Sequence, residues 1–317
     1  MNMDINSMAK LLLCEKEVRI LYHIKPDGDA IGSAYALAAA LQSVGIKADV
    51  AVDDGIPSEF RQITDRFTGD TLNNPTIVAV DSANRKRLGA YGRSDIRFCI
   101  DHHENNQINA EYSCVDENAS SCAEIIFKLL LAMNISITHD IADYLYTGLI
   151  TDTSCFRAIR TNEASLIAAG KLAEYGADVT GISRRHFMEK SPERMKIEAL
   201  LCKSLNYICD RKIVSGVLTY DDFCRVGISD LELKDIPMVL DQIGGVKICI
   251  VIRENNLNKC RISLRTSEEF DASEICRSLG GGGHATAAGC DIEGEPEQVR
   301  KQIEEICRSY YLSRALQ

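Results

Sequence analysis

Residues 22–32, Tyr-His-Ile-Lys-Pro-Asp-Gly-Asp-Ala-Ile-Gly, lie where a predicted strand gives way to a predicted helix. The run at residues 18–24 is aliphatic and β-branched and predicts a buried strand, which a proline and a glycine end. Residues 30–44 are rich in Ala and Leu and predict a helix. Open α/β sheets bind ligands at such a turn between a strand and a helix. Three ligand-type side chains occupy this turn: His23, Asp27 and Asp29.

Short apolar runs alternate with helix-forming segments through the rest of the first half. Strands are predicted at residues 47–52, 75–80 and 96–100. Helices are predicted at residues 119–133, 140–150 and 161–175. This alternation predicts a doubly wound, mostly parallel sheet with right-handed crossovers.

The pattern changes near residue 182. Residues 184–209 are mixed and charged and predict one long connecting helix. Strands are predicted at residues 213–220, 247–253 and 260–265, with helices at residues 229–243, 272–279 and 296–311. We therefore expect an α/β chain with three parts: a first domain at 1–185, a connecting helix at 186–208 and a smaller α/β domain at 209–317.

Further ligand-type residues stand where later elements end. Asp81 follows the strand at 75–80, Asp101, His102 and His103 follow the strand at 96–100, and Asp152 follows a helix. Aspartate and imidazole without a thiolate pattern suit Mn²⁺ or Mg²⁺ better than structural zinc. With this many groups we expect two ions about 3.5–4 Å apart, bridged by one carboxylate. Asp81 stands alone at the end of a central strand and is our prediction for the bridge.

The net charge, the cysteine pattern and the length of the apolar runs argue against some classes of protein. The formal net charge is −10, which argues against binding to duplex DNA but not against a small anionic substrate at a metal site. The 13 cysteines are scattered without Cys-x-x-Cys pairs, which indicates a reducing compartment. No apolar run approaches the roughly 20 residues of a membrane span, and the first residues show no secretory signal. We expect a cytoplasmic protein.

Five segments carry a resemblance to a known family. Residues 23–32, 80–83, 101–103 and 147–153 resemble the four motifs of the DHH phosphoesterase superfamily. Residues 278–289, Ser-Leu-Gly-Gly-Gly-Gly-His-Ala-Thr-Ala-Ala-Gly, resemble the signature of its C-terminal DHHA1 domain. The motifs are specific, occur in the family's order and span nearly the whole chain.

The resemblance implies a site with two divalent ions. Mn²⁺ is the preferred ion, and Mg²⁺ is the alternative. The resemblance implies that His103 contacts the scissile phosphate or the metal-bound water. It also implies that Asp101 supports the residues of the site without binding a metal itself. How the ligands divide between the two ions stays open. The implied metal ligands are His23, Asp27, Asp29, Asp81, His102 and Asp152.

The second domain offers candidates for substrate binding. An isolated glycine run is more often a flexible turn, although glycines can adopt positive φ and point successive N–H groups at an anion. An arginine at a strand end or in a loop can bind phosphate or simply be a surface charge. The resemblance favours substrate binding, because a DHHA1 domain grips the nucleotide in a cleft while the DHH domain cuts it. The candidates are Arg157, Arg265, Gly281, Gly282, Gly283 and His284.

Within the superfamily the chain resembles the NrnA-type oligoribonuclease group. This implies cleavage of short RNA or of linear or cyclic dinucleotides to mononucleotides, and dephosphorylation of 3′-phosphoadenosine 5′-phosphate to AMP. It also implies a homodimer. One alternative is a RecJ-like single-strand DNA exonuclease, although such enzymes are longer and carry a further nucleic-acid-binding domain. The other is a non-catalytic nucleotide sensor, which would not need two metals. The sequence does not choose among the substrates.

Overall fold

The computed structural model describes residues 2–51, 55–158, 160–229, 233, 235–256 and 258–315. The chain divides into two compact units, Met1–Glu189 and Lys190–Gln317. None of the described helices combines the length and the apolar composition that crossing a membrane requires.

The N-terminal unit is built on a five-stranded parallel sheet in the order β2-β1-β3-β4-β5. Its strands are β1 (Glu17–Leu21), β2 (Lys47–Ala51), β3 (Thr76–Val80), β4 (Ile96–Asp101) and β5 (Tyr112–Val115). Its helices are α1 (Ile5–Leu12), α2 (Gly28–Ser43), α3 (Arg61–Thr64), α4 (Cys122–Ala132), α5 (His139–Asp152), α6 (Glu163–Glu174) and α7 (Val179–Phe187). Buried aliphatic side chains of the strands and helices form a large core, and a smaller cluster that includes Leu21, Ala79 and Leu88 is separate from it.

Helices α2 and α5 approach each other very closely, and two glycines make this approach sterically allowed. A Cβ on Gly32 would lie 2.3 Å from the carbonyl oxygen of Tyr144. A Cβ on Gly148 would lie 2.9 Å from Asp29 Oδ1. The close contact therefore brings the first turn of α2, which carries Asp29, against the helix that ends at Asp152.

The C-terminal unit is built on a mixed sheet in the order β10-β11-β9-β8-β7-β6. Its strands are β6 (Asn206–Ile208), β7 (Ile213–Leu218), β8 (Ile248–Asn256), β9 (Lys259–Thr266), β10 (Gly282–His284) and β11 (Ala287–Glu293). Strands β7 and β8 pair in parallel, and the other described pairs are antiparallel. Its helices are α8 (Pro192–Lys203), α9 (Tyr220–Val226), α10 (Pro237–Asp241), α11 (Ala272–Arg277) and α12 (Pro296–Ala315).

Strand β8 explains why helices cover both faces of this second sheet. Ile248, Ile250 and Ile252 enter one apolar cluster, which includes side chains of α11 and α12. Cys249 and Val251 enter another, which includes side chains of α8, α9 and α10. Successive side chains of a strand point to opposite faces, so a continuous apolar run needs cover on both sides.

The fold class predicted from the sequence is confirmed, since a parallel sheet and a second, mixed sheet are both present. The single helix predicted at 184–209 is wrong. Helix α7 ends at Phe187, α8 begins at Pro192, and strand β6 follows it. The hydroxyl of Ser191 accepts a hydrogen bond from the backbone N–H of Arg194, and proline is favoured at the first helical position, so a new helix starts there.

Two other predicted elements differ from the structure. The strand predicted to reach residue 220 ends at Leu218, because Thr219 and Asp222 form a capping box that starts α9. Of the helix predicted at 229–243, the described residues are helical only over α10, apart from a 3₁₀ position at residue 233. Residues 230–232 and 234 lie outside the described residues. Strand β5 was not predicted, because a four-residue strand carries too little periodicity to detect.

Candidate metal centre

The topology of the parallel sheet brings the ligand-type residues to one edge. Strands β1, β3 and β4 are neighbours, and parallel strands end at the same edge of a sheet. His23 lies two residues after β1, Asp81 directly follows β3, and Asp101 is the last residue of β4. Asp152, the last residue of α5, joins them from the helix that packs on α2.

Asp27 and Asp29 are held at the beginning of α2. Asp27 is the N-cap, and its Oδ1 accepts a hydrogen bond of 3.1 Å from the backbone N–H of Ala30. Asp29 is buried and accepts hydrogen bonds from the backbone N–H groups of Cys122 at 2.6 Å and Ala123 at 2.9 Å. These two N–H groups begin α4, and a helix N-terminus stabilises a negative charge.

The first candidate metal group consists of His23, Asp27 and Asp81. Nδ1 of His23 lies 2.9 Å from the carbonyl oxygen of Ile24, which can only accept, so the proton resides on Nδ1. With Nδ1 as the donor, Nε2 is the nitrogen that can ligate a metal, and it faces Asp27 Oδ2 and Asp81 Oδ2, each at 3.6 Å. An imidazole lone pair and two carboxylates repel one another unless a cation lies among them.

The second candidate metal group consists of Asp29, His102 and Asp152. Nδ1 of His102 faces the carbonyl oxygen of Ala119 at 3.4 Å, so Nε2 is again free of its proton. The distance from this Nε2 is 3.8 Å to Asp29 Oδ2 and 3.5 Å to Asp152 Oδ2. The arrangement repeats that of the first group.

Asp81 faces the histidines of both candidate metal groups. One of its oxygens faces His23, while Oδ1 lies 3.5 Å from His102 Nε2 and 3.7 Å from His103 Nδ1. The residue is 2% exposed, and Oδ1 accepts no hydrogen bond from the described part of the chain. Its backbone has a φ of 49°, which is uncommon outside glycine. A buried carboxylate oxygen without a donor is costly, and a divalent cation is the partner that fits it.

The electrostatics of the site agree with a cation-binding role. Burial, and then the neighbouring carboxylates, raise the pKa of Asp29 and the pKa of Asp81 well above the ordinary value. Burial also raises the pKa of Asp152. Because carboxylates and imidazoles without thiolates suit hard or borderline divalent ions, these residues fit the group that the sequence predicts.

His103 forms a third candidate metal group with Asp81 and His102, and it is held by Asp101. Asp101 is fully buried, and its Oδ1 lies 2.7 Å from His103 Nδ1 and 2.9 Å from the backbone nitrogen of His102. The hydrogen bond to Asp101 raises the pKa of His103. Asp101 is absent from the candidate groups found among the described residues.

A further acidic cluster, His139, Asp140 and Asp143, has ligand-like spacing at the start of α5. Here the guanidinium of Arg66 already provides the cation. Its Nη1 lies 3.2 Å from Asp140 Oδ1 and 2.7 Å from Asp143 Oδ2. We therefore interpret this cluster as a structural ion-pair network.

Sequence reasoning missed two residues at the centre. Asn106 donates to the carboxylate of Asp101. Arg87 is half-buried, and its backbone carbonyl accepts a hydrogen bond of 2.7 Å from the N–H of Ile24, the residue after His23. The pKa of His103 is governed first by Asp101 and by burial, but the charge of Arg87 also lowers it. Both residues lie within six positions of Asp81 or Asp101, and this closeness in sequence was the only available signal.

The candidate substrate-binding residues are divided between the two units. Arg157 lies in the N-terminal unit and is exposed. Its Nε donates to the carbonyl oxygen of Ser154 at 2.9 Å. Its guanidinium carbon lies 5.7 Å from the ring centroid of Phe187. The other five lie in the C-terminal unit. There the strand register aligns His284 with Ala287 of β11 and Ala287 with Arg265 of β9. Aligned residues share one face, so His284 and Arg265 flank a small alanine on the same surface.

The glycine run is not the flexible turn that an isolated run of this kind suggests. The N–H of Gly281 donates to the carbonyl oxygen of Cys276 at 2.9 Å, and that of Gly280 donates to Arg277 at 3.1 Å. These two N–H groups close the end of α11 and are therefore not directed at an anion. A Cβ on Gly283 would lie 2.5 Å from the carbonyl oxygen of Ala287, so close strand pairing requires glycine there.

Both units match known protein families. The N-terminal domain model of the DHH family matches residues 17–149, and the DHHA1 domain model matches residues 213–310. A bifunctional oligoribonuclease and PAP phosphatase NrnA of Thermus thermophilus is 26% identical over 308 residues, covering 94% of this chain and 93% of that protein. The protein of the same name in Bacillus subtilis is 24% identical over 297 residues, covering 91% of this chain and 94% of that protein.

A solved structure shows the same fold. The crystal structure of an exopolyphosphatase-related protein from Bacteroides fragilis superimposes with a TM-score of 0.83 at 23% sequence identity. The match covers 98% of this chain and 97% of that one.

Proposed function

Because this chain belongs to the DHH family of phosphoesterases and carries a DHHA1 domain, we propose that it hydrolyses short RNA and dinucleotides to mononucleotides. We further propose that it converts 3′-phosphoadenosine 5′-phosphate to AMP. The names of two relatives, each matched over most of both chains, support both activities, since each is called an oligoribonuclease and PAP phosphatase. The net charge of −10 supports the exclusion of duplex DNA as a substrate.

The observation that carries the proposal is the shared carboxylate of Asp81, which has a buried oxygen without a donor in the described residues. In our proposal His23, Asp27 and Asp81 hold one ion, and Asp29, His102 and Asp152, with Asp81, hold a second. Two divalent ions, which we propose to be Mn²⁺, supply Lewis-acid polarisation of the phosphoryl group and lower the pKa of water.

The chain's own residues then orient and stabilise the reacting group. The hydrogen bond that His103 Nδ1 donates to Asp101 fixes the ring of His103, and the raised pKa of His103 favours its protonated form. A positive imidazolium beside the centre stabilises the negative charge that develops on the phosphoryl oxygens. In the second unit, we propose that Arg265 and His284 bind the nucleotide from the face they share, together with Gly281, Gly282 and Gly283. Arg157 is proposed to contact a substrate phosphate.

The decisive experiment compares initial rates of the purified protein on a panel of substrates, with Mn²⁺ and separately with Mg²⁺. The panel contains a 5-mer RNA, a linear dinucleotide, a cyclic dinucleotide, 3′-phosphoadenosine 5′-phosphate and a 5-mer DNA. We expect metal-dependent release of mononucleotide from the RNA and of phosphate from the bisphosphate nucleotide. Binding without release would instead identify a nucleotide sensor.

The matched variants for this experiment are Asp81→Asn and Asp140→Asn. The first removes the shared negative charge at constant size, and we expect a loss of at least about 10²–10³-fold in kcat, the scale of losing a principal electrostatic group. The second alters the acidic cluster already neutralised by Arg66, and we expect wild-type rates. Equal rates for wild type and Asp81→Asn would refute the assignment of the centre.

A further inference from the structure

The side chain of Asn106 uses all of its hydrogen-bonding groups at the edge of the candidate centre. Its Nδ2 donates to Asp101 Oδ2 and, at 3.0 Å, to the carbonyl oxygen of Ser82. Its Oδ1 accepts a hydrogen bond of 2.8 Å from the N–H of Ile108. A primary amide has two N–H donors and one carbonyl oxygen, so each has a partner here. Such complete use fixes the orientation of the amide.

The first of these bonds completes the surroundings of a buried carboxylate. Asp101 is 0% exposed, and its Oδ1 already accepts hydrogen bonds from the backbone N–H of His102 and from the imidazole of His103. Within the described residues, the amide of Asn106 is the donor to Oδ2. Without it, Asp101 would bury an oxygen with no donor, and turning the carboxylate to recover one would release His103.

The second bond connects two loops of the centre. Ser82 directly follows Asp81 at the end of β3, while Asn106 lies in the loop that follows β4 and carries His102 and His103. One amide therefore ties the shared carboxylate to the two histidines that lie 3.5 and 3.7 Å from its Oδ1. Neither aspartate nor leucine could replace it, since aspartate would place a second carboxylate against Asp101 and leucine has no donor.

We propose that Asn106 is a positioning residue of the reaction: it locks Asp101 so that His103 is aimed at the centre, and it fixes the spacing between Asp81 and the histidine pair. This inference rests on the proposed phosphoesterase function. Asn106 itself contacts no ligand-type atom of the two metal groups, so its effect passes through Asp101 and through the backbone at Ser82.

The kinetic test uses Asn106→Leu, which removes both donors at nearly constant size, and Asn106→Ser, which can retain one donor. We expect kcat on a 5-mer RNA to fall about 10- to 100-fold in Asn106→Leu, the usual loss for a residue that orients a metal site. KM should stay within about threefold, because substrate contacts are unchanged. The kcat of Asn106→Ser should lie between the kcat of wild type and that of Asn106→Leu. Asn109→Ala, an exposed asparagine in the same loop, is the control and should match wild type.

A spectroscopic test separates positioning from general stability and needs no activity. The chain has only six histidines, so the metal-free protein labelled with ¹⁵N at histidine gives a simple spectrum. The Nδ1 proton of His103, bonded to Asp101 at 2.7 Å, should give a downfield, slowly exchanging signal that His103→Gln removes. We expect this signal to persist in Asn109→Ala, to weaken in Asn106→Ser and to vanish in Asn106→Leu.

The outcomes are distinguishable. Wild-type kcat together with an unchanged His103 signal in Asn106→Leu would overturn the proposal. If Asn106→Leu fails to fold, Asn106→Ser decides by the same two measurements. If the wild-type protein hydrolyses none of the substrates, the proposed function fails, while loss of the His103 signal in Asn106→Leu would still support the positioning role.

Discussion

At the scale of single residues, the candidate centre joins ligands from one short turn to residues of two later loops. His23, Asp27 and Asp29 lie within seven positions on one turn. The strand and the helix on either side of this turn are predictable from the sequence, so the grouping of the three residues follows from the local sequence pattern. Arg87 and Asn106 belong to types that are common on surfaces, and neither lies in a periodic segment. Their importance rests on contacts and burial, which appear only once strands β3 and β4 are placed side by side.

At this scale we predict that Arg87→Met raises KM for short RNA. Arg87 is half-buried, and its charge acts on both Asp27 and His103, so its guanidinium is close enough to the centre to bind a substrate phosphate. A hydrogen bond to a charged group is worth about 1.5–3 kcal/mol, so KM should rise about 10- to 100-fold.

The matched control is Lys86→Met, which removes the same charge from the neighbouring, exposed position. Steady-state kinetics on the 5-mer RNA compare the two variants. An equal effect in both would show that only the general charge of this segment matters, and the specific role of Arg87 would be rejected.

At the scale of elements, the glycine run, whose last two residues begin β10, shows what the sequence pattern could not decide. A run of glycines has no side-chain periodicity, so flexible turn, anion-binding loop and edge strand all fit it. The structure has β10 there, paired with β11, and the glycines differ in their surroundings. A Cβ on Gly281 would lie 2.2 Å from the carbonyl oxygen of Gly289 and 2.5 Å from the Cβ of Cys290, whereas one on Gly282 would meet nothing within 4 Å.

This difference predicts the stability of two matched variants. Gly281→Ala should lower the free energy of unfolding by about 1–3 kcal/mol, because the added methyl group forces apart two backbones that are already in contact. Gly282→Ala should change it by less than about 1 kcal/mol. Urea denaturation of both variants measures the effect. Equal stabilities would mean that β10 does not pack against β11 as described.

The segment after α5 is a second element that the sequence did not predict. Ser154, Cys155 and Phe156 all have positive φ, at 49°, 57° and 61°. Three consecutive non-glycine residues in this conformation are strained, and such strain persists only where surrounding contacts enforce it. Here the N–H of Cys155 donates to the carbonyl oxygen of Ile150 and that of Phe156 donates to Thr153 Oγ1, which closes the end of α5 directly after Asp152.

At the scale of the whole molecule, the buried carboxylates link metal binding to stability and to pH. Asp29, Asp81 and Asp152 have pKa values raised in the folded state, so without metal their stabilising contribution is complete only below the ordinary value of about 4 and is lost as pH rises through the raised values. The pKa values of Asp27 and Asp101 are lowered despite burial, through His23 and His103, and these two groups lose their contribution only as pH falls below the ordinary range.

We therefore predict that Mn²⁺ raises the melting temperature, and that this increase is larger at pH 8 than at pH 5. Metal binds the ionised carboxylates and competes with protons for them. At a concentration 100 times Kd the stabilisation of one site is about 2.7 kcal/mol. Thermal unfolding with EDTA and with Mn²⁺ across this range provides the measurement, and Asp81→Asn is the control. A metal-induced shift that is the same at every pH would contradict the prediction.

From sequence alone followed the α/β class, the second domain and the set of histidine and aspartate residues that stand at element ends, because these depend on periodicity and on local turns. Tertiary structure decided which atoms face one another: Asp81 between two histidine-containing groups, Asn106 across two loops, and N–H groups of the glycine run directed into α11. A strand or a helix is specified by neighbours along the chain. The direction and burial of a side chain instead depend on residues as far apart as positions 29 and 152, which meet only when the sheet and its helices have packed.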